Sequence, residues 1–425
     1  MKQLLFTVLF SISSLFVSAQ NFDTYFVDKT LRVDYIFSGN SDTEFVALSE
    51  LSQLPQWAGR RNNLSSLLLK GNGQVKVSDA ATGECIYMDA FSTLFQEWQT
   101  IPEAKSLTRS FENTFLIPYP KNKVVVEISL RTKEGTYRTA IKHTVDPKDI
   151  LIKKKGLANI APYSYIHKGD SVSKCVNVAI VAEGYTKEDM PLFKQHAEEA
   201  CRQIFVHNPF VNMKNKFNFV AVESPSIDSD VSVPRENLWK NTAFSSHFDT
   251  FYSDRYLTTS NVKDIHNALA GIPYAHIIIL AKTDVYGGGG IFNAYTLTTT
   301  GHPAFGVIVV HEFGHSFGGL ADEYYNEQDT FSDMYPLAVE PWEANITTMA
   351  DFTAKWKDML KPGTPVPTNP DDEVKYPVGA YEGGGYSAKG IYRPAVDCRM
   401  KTNTCKDFCP VCQRSLERLV KFYTE

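Results

Sequence analysis

The sequence predicts an α+β chain in which an N-terminal antiparallel β-sandwich precedes a larger α/β domain. Three observations predict it. A length of 425 residues suits two or three domains. From Phe22 to Val145, short runs of alternating apolar residues are broken by turn residues. Beyond about residue 170, strand-like apolar runs alternate with helix-like ones. The composition, 43% apolar and 21% charged, is that of a folded globular protein and excludes a disordered chain. A formal charge of -5 leaves no basic excess to neutralise a phosphate backbone, which argues against nucleic acid as a partner.

Taken in order, residues 1–19 have the layout of a secretory leader: Lys2, an apolar stretch from Leu4 to Val17, then Ser18 and Ala19 before the expected cleavage. The stretch is 14 residues long, whereas spanning a bilayer takes about 20. The mature protein is therefore expected to lack a membrane span and to be secreted, periplasmic or displayed at the cell surface. Residues 20–146 carry the segments LRVDYIF, SSLLLKGNGQVKVSD, NTFLIPYPKNKVVVEISLRT and GTYRTAIKHTV, punctuated by GNG and EGT turns, and are assigned to the sandwich. The charged stretch within 147–170 reads as a linker. Residues 171–425 form the second domain. There CVNVAIVAEGYT is a buried strand, KEDMPLFKQHAEEACRQIF a helix, and KFNFVAVES, AHIIILAKT and GGGGIFNAYTLTT further strands.

Seven cysteines are present, and four of them fall between Cys398 and Cys412. Cys409 and Cys412 have CxxC spacing, but there is no second such pair, so local disulfides or plain packing are expected there rather than a four-thiolate zinc.

The chemistry concentrates in AFGVIVVHEFGHSFGGLADEYY. Residues four apart share a helix face, so His311 and His315 can present imidazoles to one tetrahedral cation, with Glu312 beside a metal-activated water. Gly318 and Gly319 supply the stop to that helix. A catalytic zinc usually takes three protein ligands. A glycine turn can bring back an acidic oxygen, which makes Asp322 the first choice and Glu323 the second. The Gly-led segment Gly287–Gly290 offers either a strand edge for substrate or a loop.

HEFGHSFGGLADEY resembles the signature of the IgA-peptidase-type zinc metallopeptidases, relatives of the metzincins. The similarity continues through VGAYEGGGYSAKGIYRP, upstream through VNVAIVAEGYTKEDM, and into the β-rich N-terminal segment. The resemblance implies a zincin/metzincin-like α/β catalytic domain and a secreted endopeptidase. In it His311 and His315 bind zinc and Glu312 is the general base. The common metzincin pattern would place a histidine at Ala321. Counting from Gly319 instead gives Asp322, as in relatives that use aspartate as third ligand. Metzincins also carry a methionine beneath the metal, and Met400 holds that place in chain order. Tyr392, just upstream, is the expected additional donor to the oxyanion, with Tyr324 and Tyr386 as alternatives. The implied partner is a protein or peptide substrate, a host glycoprotein among them. An exported adhesin with little turnover is the alternative, and the intact HEFGH argues against it.

Overall fold

The computed structural model describes residues 21–325 and 334–425. The leader expected at residues 1–19 lies outside them. The chain is a mixed α/β protein with several sheets, few helices and a β-rich N-terminal domain. Among the described residues, no helix is long and apolar enough to cross a membrane.

Two four-stranded sheets make the N-terminal unit. One runs Arg109–Pro120, Phe26–Gly39, Glu44–Leu54 and Lys153–Lys154; the other runs Cys85–Phe91, Gly73–Asp79, Val124–Arg131 and Tyr137–Val145. In Gly73–Asp79 burial alternates residue by residue, with Val75 and Val77 inward and Gln74 and Lys76 outward. Such a period of two gives a strand one core face. The two sheets meet through aromatic rings, with Phe91 and Phe115 at 4.3 Å between centroids.

The stretch read as a linker contributes strands to both units. Lys153–Lys154 adds in parallel to Ser52–Gln53, and Tyr163–Lys168 borders the next sheet. Its cationic run reaches this edge because Glu50 meets it: Lys155 Nζ lies 2.6 Å from Glu50 Oε1, and Lys153 bonds the other oxygen. Partial burial works to raise the Glu50 carboxyl, yet the two ammonium groups hold it down at about 2. A folded pKa below the unfolded one gives stability that is present above about pH 4.5 and lost as pH falls towards 2. Glu50→Gln is therefore expected to cost about 0.5 kcal/mol at pH 7 and almost nothing at pH 2. Urea unfolding at the two pH values checks this, and an equal cost at both would contradict it.

The second domain is built on a six-stranded sheet ordered Gly288–Ile291, Tyr295–Thr299, His276–Ala281, Val176–Glu183, Phe217–Val222 and Tyr163–Lys168. The four central strands are parallel and the two borders antiparallel. All eight residues of Val176–Glu183 are buried, as expected of a parallel strand covered on both faces. The helices Met190–Phe205 and Phe305–Ser316 cover one face, and Phe210, Phe217, Phe313 and Phe317 pack between them and the sheet.

The two units abut directly. Arg32, fully buried in the sandwich, pairs with Asp34 at 2.8 Å and donates to Asn267 Oδ1 at 2.8 Å across the boundary. Asn293 Nδ2 donates to Ala90 O at 2.7 Å, and Trp342 Nε1 donates to Asn72 Oδ1 at 2.8 Å. These contacts turn one edge of the sandwich toward the helix Phe305–Ser316.

Candidate metal centre and active-site cleft

The helix Phe305–Ser316 is apolar on nearly every face, so it is buried along most of its length. Ile308, His311, Glu312 and His315 line a cleft of about 580 Å³. Gly319, in the left-handed region at φ +58°, ends the helix by reversing the chain. Its N–H donates to His315 O at 2.9 Å, and that of Leu320 donates to Gly314 O at 3.1 Å. Gly318 is a second close approach, where a Cβ would fall 2.5 Å from Gly314 O.

The reversal carries Asp322 back onto the imidazoles. Asp322 Oδ1 lies 3.1 Å from His311 Nε2 and 3.3 Å from His315 Nε2, and the two Nε2 atoms are 3.1 Å apart. A tetrahedral zinc with bonds of about 2.0–2.1 Å would set donor atoms about 3.3 Å apart. The tautomers support the same use. His311 Nδ1 lies 3.0 Å from Arg399 O and His315 Nδ1 lies 2.6 Å from Leu320 O. A carbonyl only accepts, so each Nδ1 carries the hydrogen and each Nε2 of a neutral ring offers a lone pair. Three acceptor atoms thus converge on one point, and only a cation or shared protons can satisfy them. Asp322 Oδ1 is buried without a conventional hydrogen-bond partner, while Tyr386 Oη donates to Oδ2 at 2.5 Å. The donor set fits a divalent metal.

Electrostatics follow from this crowding. Burial alone would lower both imidazoles, but the Asp322 carboxylate outweighs it, raising His311 and lifting His315 to about 9. Burial would raise Asp322, yet His315 and His311 hold it well below the carboxylate range. Burial raises Glu312 against the opposing pull of the two imidazoles.

Met400 lies under the helix. It is fully buried, and a Cβ on Gly314 would sit 2.6 Å from its sulfur, so it packs against the turn between His311 and His315. The Gly-led segment is a strand rather than a loop, with Gly288–Ile291 paired antiparallel to Tyr295–Thr299. At Gly288 its outer edge is already engaged by Arg255 and Leu257, so substrate cannot pair with that residue. The glycines let this strand approach the helix. A Cβ on Gly290 would lie 2.4 Å from Glu312 O and 2.7 Å from His315 Cβ. Gly290→Ala is expected to cost about 1–3 kcal/mol in denaturant unfolding and to lower activity, because backbone must move. Unchanged stability would refute the contact.

Two expected residues lie elsewhere. Tyr392 does not line the cleft; it sits in the strand Ser387–Arg393 and bonds Thr347 through its backbone, with N–H to Thr347 O at 2.8 Å. Tyr324 and Tyr386 line the cleft instead. Glu323 faces away from the imidazoles, toward Cys398, Cys409 and Cys412. All seven cysteines are free in this structure, so of the two expectations for the four in residues 398–412, local disulfides or plain packing, no disulfide is formed. The sandwich also supplies cleft residues, Asn72, Ser92 and Glu97, that no local pattern in the sequence marks. Burial raises Glu97 to about 7, and Tyr256 Oη bonds its carboxylate.

Fold and site together describe an α/β domain that carries a candidate metal centre and is preceded by a β-rich domain. Residues 165–376 and 370–420 match the model of the IgA Peptidase M64 family, and residues 21–142 match that of the Peptidase M64 N-terminus. The chain belongs to the IgA peptidase M64 family. A search of curated proteins returned no match.

Proposed function

We propose that the chain is an exported zinc-dependent endopeptidase with His311, His315 and Asp322 as metal ligands and Glu312 as general base. The observation that carries this reading is the convergence of two imidazole Nε2 atoms and one buried carboxylate oxygen within 3.3 Å of one another. Bound there, zinc would lower the pKa of a water and polarise the peptide carbonyl.

The chain's own groups do the rest. Arg399 O and Leu320 O fix the two imidazole tautomers, and Tyr386 Oη orients Asp322. Glu312 takes a proton as water oxygen adds to the carbonyl carbon, then delivers it to the departing nitrogen as the C–N bond breaks. Tyr324, at the cleft wall with its ring 6.5 Å from that of His311, is the oxyanion donor we favour in place of Tyr392. The cleft opens between sandwich and catalytic domain, which suits an extended polypeptide, and Glu97 on the sandwich wall would contact it. The substrate class is protein or peptide.

The test is mass-spectrometric mapping of new N-termini in a mixed host proteome after incubation with the mature protein and with its Glu312→Gln variant. New internal N-termini that depend on Glu312 are expected. Identical maps from the two proteins would overturn the reading.

A further inference from the structure

Glu323 directly follows the proposed ligand Asp322, yet its side chain enters a pocket behind the cleft. Four donors meet there: Glu323, Cys398, Cys409 and Cys412 are all buried, with ligand atoms within 4.8 Å of one another. Cys398 Sγ and Cys412 Sγ are 3.8 Å apart, and Cys412 Sγ is 3.2 Å from Glu323 Oε1. Zinc bonds of about 2.3 Å to sulfur and about 2.0–2.2 Å to oxygen give tetrahedral edges of about 3.8 Å between sulfurs and about 3.5 Å between sulfur and oxygen. Cys405, the remaining cysteine of the run, is left out, its sulfur facing Asp407 O at 3.3 Å.

The surroundings are those of a built site. Asn345 clamps the carboxylate, with Nδ2 to Glu323 Oε1 at 2.9 Å, and is itself held by the Ala321 backbone at 2.8 and 2.9 Å. The other carboxylate oxygen, Glu323 Oε2, is buried without a hydrogen-bond partner. Cys409 N–H donates to Cys398 Sγ at 3.2 Å. Cys409 stands at the N-cap position of the helix Pro410–Thr424 and Cys412 sits in its first turn, where the positive end of the helix favours thiolates. The positive charges of Arg393 and Lys401 act on Glu323.

We infer a second metal site, a structural zinc held by the thiolates of Cys398, Cys409 and Cys412 and the carboxylate of Glu323. All four tetrahedral positions are filled by protein, so the site is closed to substrate. Soft thiolates select zinc over magnesium or calcium. On binding, the protons held by the sulfurs and by the Glu323 carboxyl pass to solvent as three sulfur–zinc bonds and one oxygen–zinc bond form. The ion would tie the segment after the histidine helix to the C-terminal helix and to the Met400 turn, where Glu323 N–H already donates to Met400 O at 2.8 Å. That cross-link holds Asp322 and Met400 in place without touching substrate.

These donors are separate from those of the cleft, so the two readings can fail independently. The test uses the mature chain, its His315→Ala variant and its Cys412→Ser variant, purified with zinc and analysed for metal by plasma mass spectrometry. About two zinc ions per chain are expected in the parent, and about one in each variant. After cobalt exchange, His315→Ala should keep the intense near-ultraviolet thiolate-to-cobalt band that Cys412→Ser weakens. If only the cleft reading is wrong, parent and His315→Ala hold the same zinc with the same band, which still supports this inference. It is overturned if His315→Ala holds no zinc and shows no band. It is equally overturned if alkylation and mass analysis find two of the three sulfurs joined as a disulfide in metal-replete protein. Should Cys412→Ser fail to fold, the parent and His315→Ala decide the matter alone.

Discussion

Glu312→Gln should keep its zinc and lose peptide hydrolysis by a factor of about 10²–10⁴, the usual contribution of a positioned general base. The substitution preserves the shape of the side chain, which matters here because Gly288 is so close that a Cβ there would lie 2.7 Å from Glu312 Oε1. Stability should not fall. Burial already disfavours the Glu312 charge, and an amide removes that cost. The loss should therefore appear in kcat, with metal content and melting temperature unchanged. A variant that retained full activity on a fluorogenic peptide would remove Glu312 from the mechanism.

Asp322→Ala should release the cleft metal, with affinity lower by at least about 100-fold, since it deletes a direct donor rather than a supporting one. It also strips Tyr386 Oη of its acceptor and leaves two imidazole lone pairs aimed at each other 3.1 Å apart. Tyr386→Phe tests the supporting shell alone and should weaken zinc by about 10-fold to 100-fold while leaving the three donors in place. Zinc titration with a competing chelator reads both values. Equal affinity in parent and Asp322→Ala would exclude Asp322 as a ligand.

The histidine helix was legible because its chemistry is local. His311 and His315 are four residues apart, and an α-helix places such residues on one face whatever surrounds it. Asp322 was nearly as legible, since a left-handed Gly319 returns the chain within a few residues. The tyrosines were not. Gly385 and Tyr386 both adopt left-handed φ, +53° and +65°, and that turn aims Tyr386 at Asp322 while the strand beyond carries Tyr392 away. Strand alternation shows that a residue has a face, but not which neighbour that face meets. The cysteines show the same limit. Their spacing resembled half of a four-thiolate motif, and the carboxylate beside them, that of Glu323, lies 75 or more residues earlier in the chain.

Read alone, the chain order determined the two structural grammars, the buried helix with its paired imidazoles and adjacent carboxylate, and the family to which they belong. The first two rest on periodicities within a dozen residues, which backbone geometry converts directly into structure; the family rests on the resemblance of HEFGHSFGGLADEY and of the segments up- and downstream of it. Only the tertiary fold decided that Asn72, Ser92 and Glu97 of the sandwich wall the cleft, that Glu323 turns from the imidazoles to the sulfurs, and that Tyr386 rather than Tyr392 reaches Asp322. Those choices depend on side chains from distant segments competing for the same buried space. Packing settles that competition, and no local pattern encodes it.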